Sequence, residues 1–381
     1  MISCGLRTPT IGISSLNHLE LLTAVGLVAV SVLVTTAALT GVVRRYALRR
    51  SLLDIPNERS LHDRPTPRGG GLAIAMVLLA TSVGLGWRGI LSAPLVTALA
   101  GGGALIATVG WIDDQRPMPA LWRACVHLAA AVWALYWLGG FPKLALGRTT
   151  LPLEWMGAVL AGLGTAWLTN LYNFMDGTDG LAASQGVCAG VMGAILLALN
   201  GEPGIATMSL ILAASCAGFL SWNWPPAKIF MGDVGSCLIG YSFAVLALVS
   251  ESTGAVPVLT WFILVSVFVC DATFTLLMRL LAGERWYAAH RSHAYQRLVQ
   301  MGFSHGRLAL AVLALNLFIL WPLAYLMHWC PALSVPIAIA VVVGLGAAWV
   351  AVQRKYRRFY QSAACAADNR AIGTRNGEQL T

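Results

Sequence analysis

Five aspartates stand where a strongly apolar chain has most reason to avoid them: Asp113 and Asp114, Asp176 and Asp179, and Asp233. They occur in the strings Trp111-Ile-Asp-Asp, Asn-Phe-Met-Asp-Gly-Thr-Asp-Gly and Met-Gly-Asp-Val-Gly-Ser, each at the end of an apolar run of membrane-spanning length. Only 16 of the 381 residues are acidic, so five at such positions are a large share of the supply. A carboxylate beside hydrocarbon is costly unless it binds something, and a divalent cation or its phosphate ligand is the natural occupant.

Four strings carry the chemistry. Asn170-Leu-Tyr-Asn173-Phe-Met-Asp176-Gly177-Thr178-Asp179-Gly180 holds two carboxamides and two carboxylates within a turn forced by two Asp-Gly steps. Helix capping would use one such residue and not four. The adjacent Asp113 and Asp114 repel each other, which a shared cation would relieve, and a helix C-terminus disfavours acidic residues. Lys228-Ile-Phe230-Met-Gly232-Asp233-Val-Gly-Ser frees a backbone turn at the start of a span, where unpaired amides can hold an anion and Asp233 the metal that bridges it. His290-Arg291-Ser-His293-Ala-Tyr-Gln-Arg lies in the largest basic loop. It lacks the Glu of a zinc-protease helix, so imidazole and guanidinium contacts to phosphate or hydroxyls fit better.

The rest of the chain must position these strings. At 57% hydrophobic and 11% charged, it departs from the roughly 25% charge of soluble domains, and a single soluble core is excluded. Apolar runs long enough for a bilayer fall at about 19–43, 70–87, 91–112, 119–139, 155–172, 181–199, 204–221, 234–250, 254–278, 306–328 and 332–352. They predict an all-α membrane bundle of about 11 helices. The first run lacks a small-residue cleavage site and reads as an uncleaved span. With the N-terminus outside and the C-terminus cytoplasmic, 21 of the 25 Lys and Arg face the cytosol, as the positive-inside rule demands. All five aspartates then share the cytoplasmic mouth. The expected organisation is an outer segment 1–18, one catalytic membrane domain 19–352, and a basic, disordered cytoplasmic tail 353–381. The outer loop 140–154 suggests a turn or small hairpin.

Several signals carry less. The basic excess reports topology and is no argument for nucleic acid. The eight cysteines are scattered without a Cys-x-x-Cys, against metal-thiolate sites. Gly84-Leu-Gly86-Trp-Arg-Gly89 imitates a dinucleotide fingerprint but has no preceding strand. The triplets Gly69–Gly71 and Gly101–Gly103 suit close helix packing.

Carboxylates for a hard cation, arginines and histidines for anions, and access from both cytosol and bilayer together suit phosphoryl transfer from a soluble activated donor to a lipid phosphate. The four strings, with Asp54-Ile-Pro-Asn57-Glu-Arg-Ser-Leu-His62-Asp-Arg-Pro-Thr-Pro-Arg68-Gly-Gly-Gly, resemble the polyprenyl-phosphate N-acetylhexosamine-1-phosphate transferases of glycosyltransferase family 4, and most of all their O-antigen-initiating branch. The resemblance runs in order over about residues 20–350. It implies a Mg²⁺-dependent enzyme, with Mn²⁺ as the alternative cation. Such an enzyme passes sugar-1-phosphate from a UDP-N-acetylhexosamine to undecaprenyl phosphate in the bacterial inner membrane, releasing UMP; a homodimer stays open. By the same resemblance, Asp233 and Asn173 hold the metal, and Asp113 and Asp114 face it and the acceptor. Asp176, Gly177, Thr178 and Asp179 with Phe230 hold the nucleoside. His290, Arg291 and His293 contact the pyrophosphate or sugar, joined by Arg68, Lys228 and Asp54. Asp271, inside a span, is expected to serve packing or to pair with Arg279.

Other classes fit less well. The peptidoglycan phospho-N-acetylmuramoyl-pentapeptide transferase of the same family carries consecutive histidines that this chain lacks. A transporter would place its carboxylates near the midplane, where only Asp271 lies. A CDP-alcohol phosphotransferase would show Ala-Arg after its first Asp-Gly, and this chain has Thr-Asp or Leu-Ala there.

Overall fold

The computed structural model describes residues 18–56, 61–284 and 290–378, with side chains described between 23 and 361. The chain is all-α. In order it forms α1 (His18–Arg49), α2 (Gly71–Trp87), α3 (Ala93–Thr97) running through a π-turn into α4 (Gly103–Gln115), α5 (Ala120–Leu138), α6 (Glu154–Phe174) and α7 (Leu181–Leu199). There follow α8 (Pro203–Asn223), α9 (Asp233–Thr253), α10 (Val258–Leu281) and a short α11 (Ala294–Gln300). Then α12 (His305–Leu315) passes through a second π-turn into α13 (Trp321–Trp329), and α14 (Ser334–Glu378) ends the chain.

Each of the eleven apolar runs lands on one of these helices. Among the described residues nine segments are long and apolar enough to cross a membrane. The other two are α2, with 17 residues, and α6, with 21. α6 carries Asn170, Tyr172 and Asn173 in its last turns, and these lower its hydropathy. Loop 140–154 is the expected hairpin, with β3 (Lys143–Leu146) antiparallel to β4 (Thr149–Pro152). The tail differs from expectation. Helix α14 continues without a break to Glu378, in keeping with the Ala-Ala-Cys-Ala-Ala stretch at 363–367 and the lack of any proline beyond Pro336.

Helix α9 is the axis of the bundle, buried at every position from Asp233 to Glu251. Lipid tails are as apolar as leucine, so membrane helices associate through close backbone approach at small residues. Gly235 of α9 and Gly71 of α2 meet so closely that a Cβ on either would fall on the other's backbone. A Cβ on Gly110 of α4 would lie 2.6 Å from the Val234 amide, and one on Gly240 of α9 would lie 2.6 Å from the Leu168 carbonyl of α6. These contacts set the functional end. Gly110 packs on the first turn of α9, and Asp113 and Asp114 follow it by one turn of α4. A second clamp joins two loops: β1 (Leu53–Asp54) pairs with β2 (Thr66–Pro67), and the chain beyond β2 zips onto the strand-like run before α9. There Phe230 donates to Pro67 O (2.8 Å), Gly70 to Phe230 O (2.9 Å) and Gly71 to Met231 O (2.8 Å).

Candidate active site

The turn into α9 places the central carboxylate. Gly232 sits at φ +77°, a region that favours glycine, and a Cβ there would strike the Asp114 carboxylate. Asp233, the next residue, is 6% exposed. Its Oδ1 accepts from Arg68 Nη2 at 2.7 Å and from Asn173 Nδ2 at 3.0 Å, and its Oδ2 from Arg123 Nη1 at 3.2 Å. Asp114 Oδ1 accepts from the Asp233 amide at 2.9 Å and meets Arg68 Nε at 2.8 Å. Asp113 Oδ2 meets Arg123 Nη1 at 2.8 Å, and its Oδ1 caps the Met118 amide. Three aspartates and two arginines from α4, α5, α9 and the loop before α2 thus form one network.

Asp176 adds a fourth carboxylate. Burial, and then the charge of Asp233, pushes its carboxyl well above the usual carboxylate range. With Asp176 held neutral by that shift, three ionised aspartates against two arginines leave one formal negative charge, and a divalent cation bound there would favour ionisation of Asp176 as well. The oxygen donors suit a hard cation, and among the described residues no donor reaches Asn173 Oδ1, whose amide nitrogen is held by Asp233 and Ser236 (both 3.0 Å). The carboxylates do not yet converge on one point as a ready metal-ligand cluster among the described residues; the two guanidinium groups lie between them.

A cleft of about 380 Å³ opens on this network. Of the residues expected at the site, Asp54, Arg68, Asn173, Asp176, Gly177, Thr178, Asp179, Phe230 and Asp233 line it. Asp113 and Asp114 stand behind that wall and reach it through their contacts with Arg68, Arg123 and the Asp233 amide. The signature turn is anchored from α8 and α12. Gly180 donates to Asn223 Oδ1 (2.9 Å), the Ala227 amide donates to Asp179 Oδ2 (3.0 Å), and Asp179 Oδ1 meets His305 Nδ1 (3.3 Å). Phe230 presents its ring edge-on to His62, with 4.8 Å between centroids.

Four expected residues lie elsewhere. The Lys228 ammonium sits 5.7 Å over the Trp222 ring, away from the cleft lining. The His290 and His293 rings lie tilted against each other, with 4.9 Å between centroids, outside the lining, and Arg291 is exposed beside them. Burial and the neighbouring His293 and Arg279 push the His290 imidazole down to about 4, so near neutrality it is uncharged. The reason for this placement is Asp271. Its carboxylate accepts from the Ala294 amide (2.8 Å) and the Tyr295 amide (3.1 Å), capping α11, while Arg279, its expected partner, meets Glu284 at 3.1 Å. That cap turns Tyr295 and Gln296, rather than the histidines, into the cleft. Tyr295 then donates to the Phe174 carbonyl at 2.8 Å. Residues 57–60 of the Asp54 string and 285–289 of the basic loop lie outside the described residues.

Sequence reasoning missed Arg123, Asn223, Tyr295 and His305. Arg123 carries a signal, being a lone cation one turn into a span close to the Asp-Asp pair, but the positive-inside count absorbs it without assigning it a partner. Asn223 and His305 are isolated polar residues whose partners are 43 and 126 positions away, a separation no local pattern conveys.

The model of glycosyl transferase family 4 matches residues 96–251, the stretch from α3 through Glu251. The chain is 33% identical over 292 residues to a probable undecaprenyl-phosphate N-acetylglucosaminyl 1-phosphate transferase of Bacillus subtilis, covering 75% of this chain and 80% of that protein. It is 32% identical over 328 residues to a decaprenyl-phosphate N-acetylglucosaminephosphotransferase of Mycobacterium leprae, covering 75% and 79%. A phospho-N-acetylmuramoyl-pentapeptide-transferase of Moorella thermoacetica is 33% identical over 167 residues, 40% of this chain and 52% of that protein. The chain belongs to glycosyl transferase family 4, among its membrane-embedded polyprenyl-phosphate N-acetylhexosamine-1-phosphate transferases.

Proposed function

We propose that the chain transfers N-acetylhexosamine-1-phosphate from a UDP-sugar to undecaprenyl phosphate at the cytoplasmic face of a bacterial inner membrane, adding the first sugar of an O-antigen or related envelope glycan. The observation that carries this reading is the buried Asp233, gripped by Arg68, Arg123 and Asn173 at the floor of a cleft that opens at the lysine- and arginine-rich end of the bundle. N-acetylglucosamine is the first donor to test, since the relatives that cover three quarters of the chain are named for it.

In the reaction an oxygen of the acceptor phosphate attacks the β-phosphorus of the donor. The bond from that phosphorus to the bridging α,β-oxygen breaks, and UMP departs with the electron pair. A phosphomonoester has its second pKa at ~6, so the acceptor is largely dianionic at neutral pH and a general base adds little. The protein's work is therefore to neutralise and align two anions. Mg²⁺, with Mn²⁺ as its substitute, would be held by Asp233 and Asn173 and would supply charge neutralisation at the pyrophosphate. Arg68 lines the cleft and presents fixed positive charge, while Asp113 and Asp114 orient Arg123 and Arg68. Asp176 through Asp179 and Phe230 shape the nucleoside end.

The test incubates purified enzyme with undecaprenyl phosphate and a panel of labelled UDP-sugars. Formation of undecaprenyl-diphosphate-N-acetylglucosamine with equimolar UMP is expected. Turnover of UDP-N-acetylmuramoyl-pentapeptide alone would replace this reading with the peptidoglycan reaction, and no lipid product from any donor would overturn both.

A further inference from the structure

A second hollow lies on the flank of the bundle, between the last turns of α10 and the middle of α14, with a volume of about 520 Å³. Its walls are Phe274, Leu277 and Leu281 on one side and Trp349 and Val350 on the other, and Arg354 and Arg357 stand at its polar end. Among the described residues it shares no lining residue with the catalytic cleft, and no Asp or Glu lines it. Both arginines are exposed, and among the described residues neither belongs to an ion pair. A lateral groove in a membrane helix bundle is filled by lipid. Two unpaired guanidinium groups at the headgroup end of an apolar channel select a lipid with an anionic phosphate.

We propose that this groove is a binding site for an anionic glycerophospholipid of the phosphatidylglycerol type, separate from the acceptor site. An acyl chain lies along Leu277, Leu281 and Val350, and the phosphate meets Arg354 and Arg357. The acceptor lipid is a different molecule, because its phosphate must reach the Asp113, Asp114 and Asp233 network. The groove also has a route to the active site. One turn of α14 braces the α11 region: Gln353 donates to the Ser292 carbonyl at 3.2 Å, Tyr356 to Gln300 Oε1 at 2.7 Å, and the Arg297 guanidinium lies 4.7 Å over the Tyr356 ring. Helix α11 in turn supplies Tyr295 and Gln296 to the cleft. A lipid that clamps α10 to α14 therefore steadies one wall of the catalytic cleft.

The experiment is native mass spectrometry of the full chain in detergent, titrated with phosphatidylglycerol, phosphatidylcholine or undecaprenyl phosphate. Each arginine near a lipid headgroup is worth about fivefold in affinity, so the double variant R354Q/R357Q should bind phosphatidylglycerol about 25-fold more weakly. R354K/R357K should keep most of the binding. Equal affinity for phosphatidylglycerol and phosphatidylcholine, or unchanged binding by R354Q/R357Q, would overturn the proposal. So would displacement of phosphatidylglycerol by undecaprenyl phosphate with the same arginine dependence, which would give the groove to the acceptor. A readout free of the arginine variants is fluorescence quenching by phosphatidylglycerol brominated on its acyl chains. The native chain should be quenched more than Trp349→Phe, and equal quenching contradicts the site. None of these readouts depends on catalytic activity.

Discussion

Asp233 and Glu251 stand at opposite ends of the same helix, and both are almost wholly buried, at 6% and 5% exposure. Their partners differ in kind. Asp233 is met by two guanidinium groups and a carboxamide from three other segments, and it opens on a cleft. Glu251 is met by main chain: its Oε1 accepts from the Ala145 amide at 2.6 Å and its Oε2 from the Val258 amide at 2.7 Å. The second carboxylate thus caps the start of α10 and fastens the β3–β4 hairpin to the bundle. Asp271 follows the Glu251 pattern, with two α11 amides on its carboxylate. In this protein a buried carboxylate held by backbone amides builds structure. One held by side-chain cations at the edge of a cleft keeps charge that a ligand can meet, so burial alone does not mark a functional acid.

The largest expected effect lies at Asp233. Replacing it with Asn keeps the shape and removes the charge that both arginines share, so turnover should fall by about 10³-fold or more while the protein inserts and melts normally. Near-normal activity would move Asp233 into the class of Glu251. Next comes Arg123→Gln, which removes the bridge between Asp113 and Asp233. Kinetics should show a loss of about 10- to 100-fold, as for other groups that orient a site's ligands. Arg123→Lys should restore only part of it, since a point charge replaces a fork that reaches two carboxylates.

Glu251→Gln should do the opposite. It sets an amide donor against one of two backbone donors, which costs about 1–3 kcal/mol of stability, visible as a lower melting temperature. Turnover per folded molecule should be unchanged, and a loss of turnover without a loss of stability would break the comparison. The smallest effect belongs to His290→Gln. His290 sits at about 4, below its unfolded value, and is already neutral above that pH. The pH profile of kcat/KM around neutrality should keep its shape, and loss of a limb there would return His290 to the catalytic machinery.

Much of this was legible in the residues. Hydropathy located every span, because each must satisfy its own backbone in lipid, and the rarity of acidic residues singled out the aspartates that the fold unites. Legibility stopped where tertiary contacts decide. His290 and His293 have the right chemistry and the right loop, but the Asp271 cap on α11 presents Tyr295 and Gln296 instead. Lys228 has the right charge, but Trp222 offers its ring. Arg123 counts toward topology in the sequence, and its contact with Asp113 and Asp233 depends on Gly110 letting α4 close on the first turn of α9.

The central claim is that Asp233 serves transfer of a sugar with its phosphate, and the position of a single label tests it most directly. UDP-N-acetylglucosamine carrying ³²P only in the phosphate next to the sugar is incubated with undecaprenyl phosphate and either the native chain or Asp233→Asn. The label should appear in the lipid product of the native chain, the released UMP should be unlabelled, and Asp233→Asn should abolish both. Label recovered as UDP, with unlabelled sugar on the lipid phosphate, would mean transfer of the sugar alone and would contradict the account.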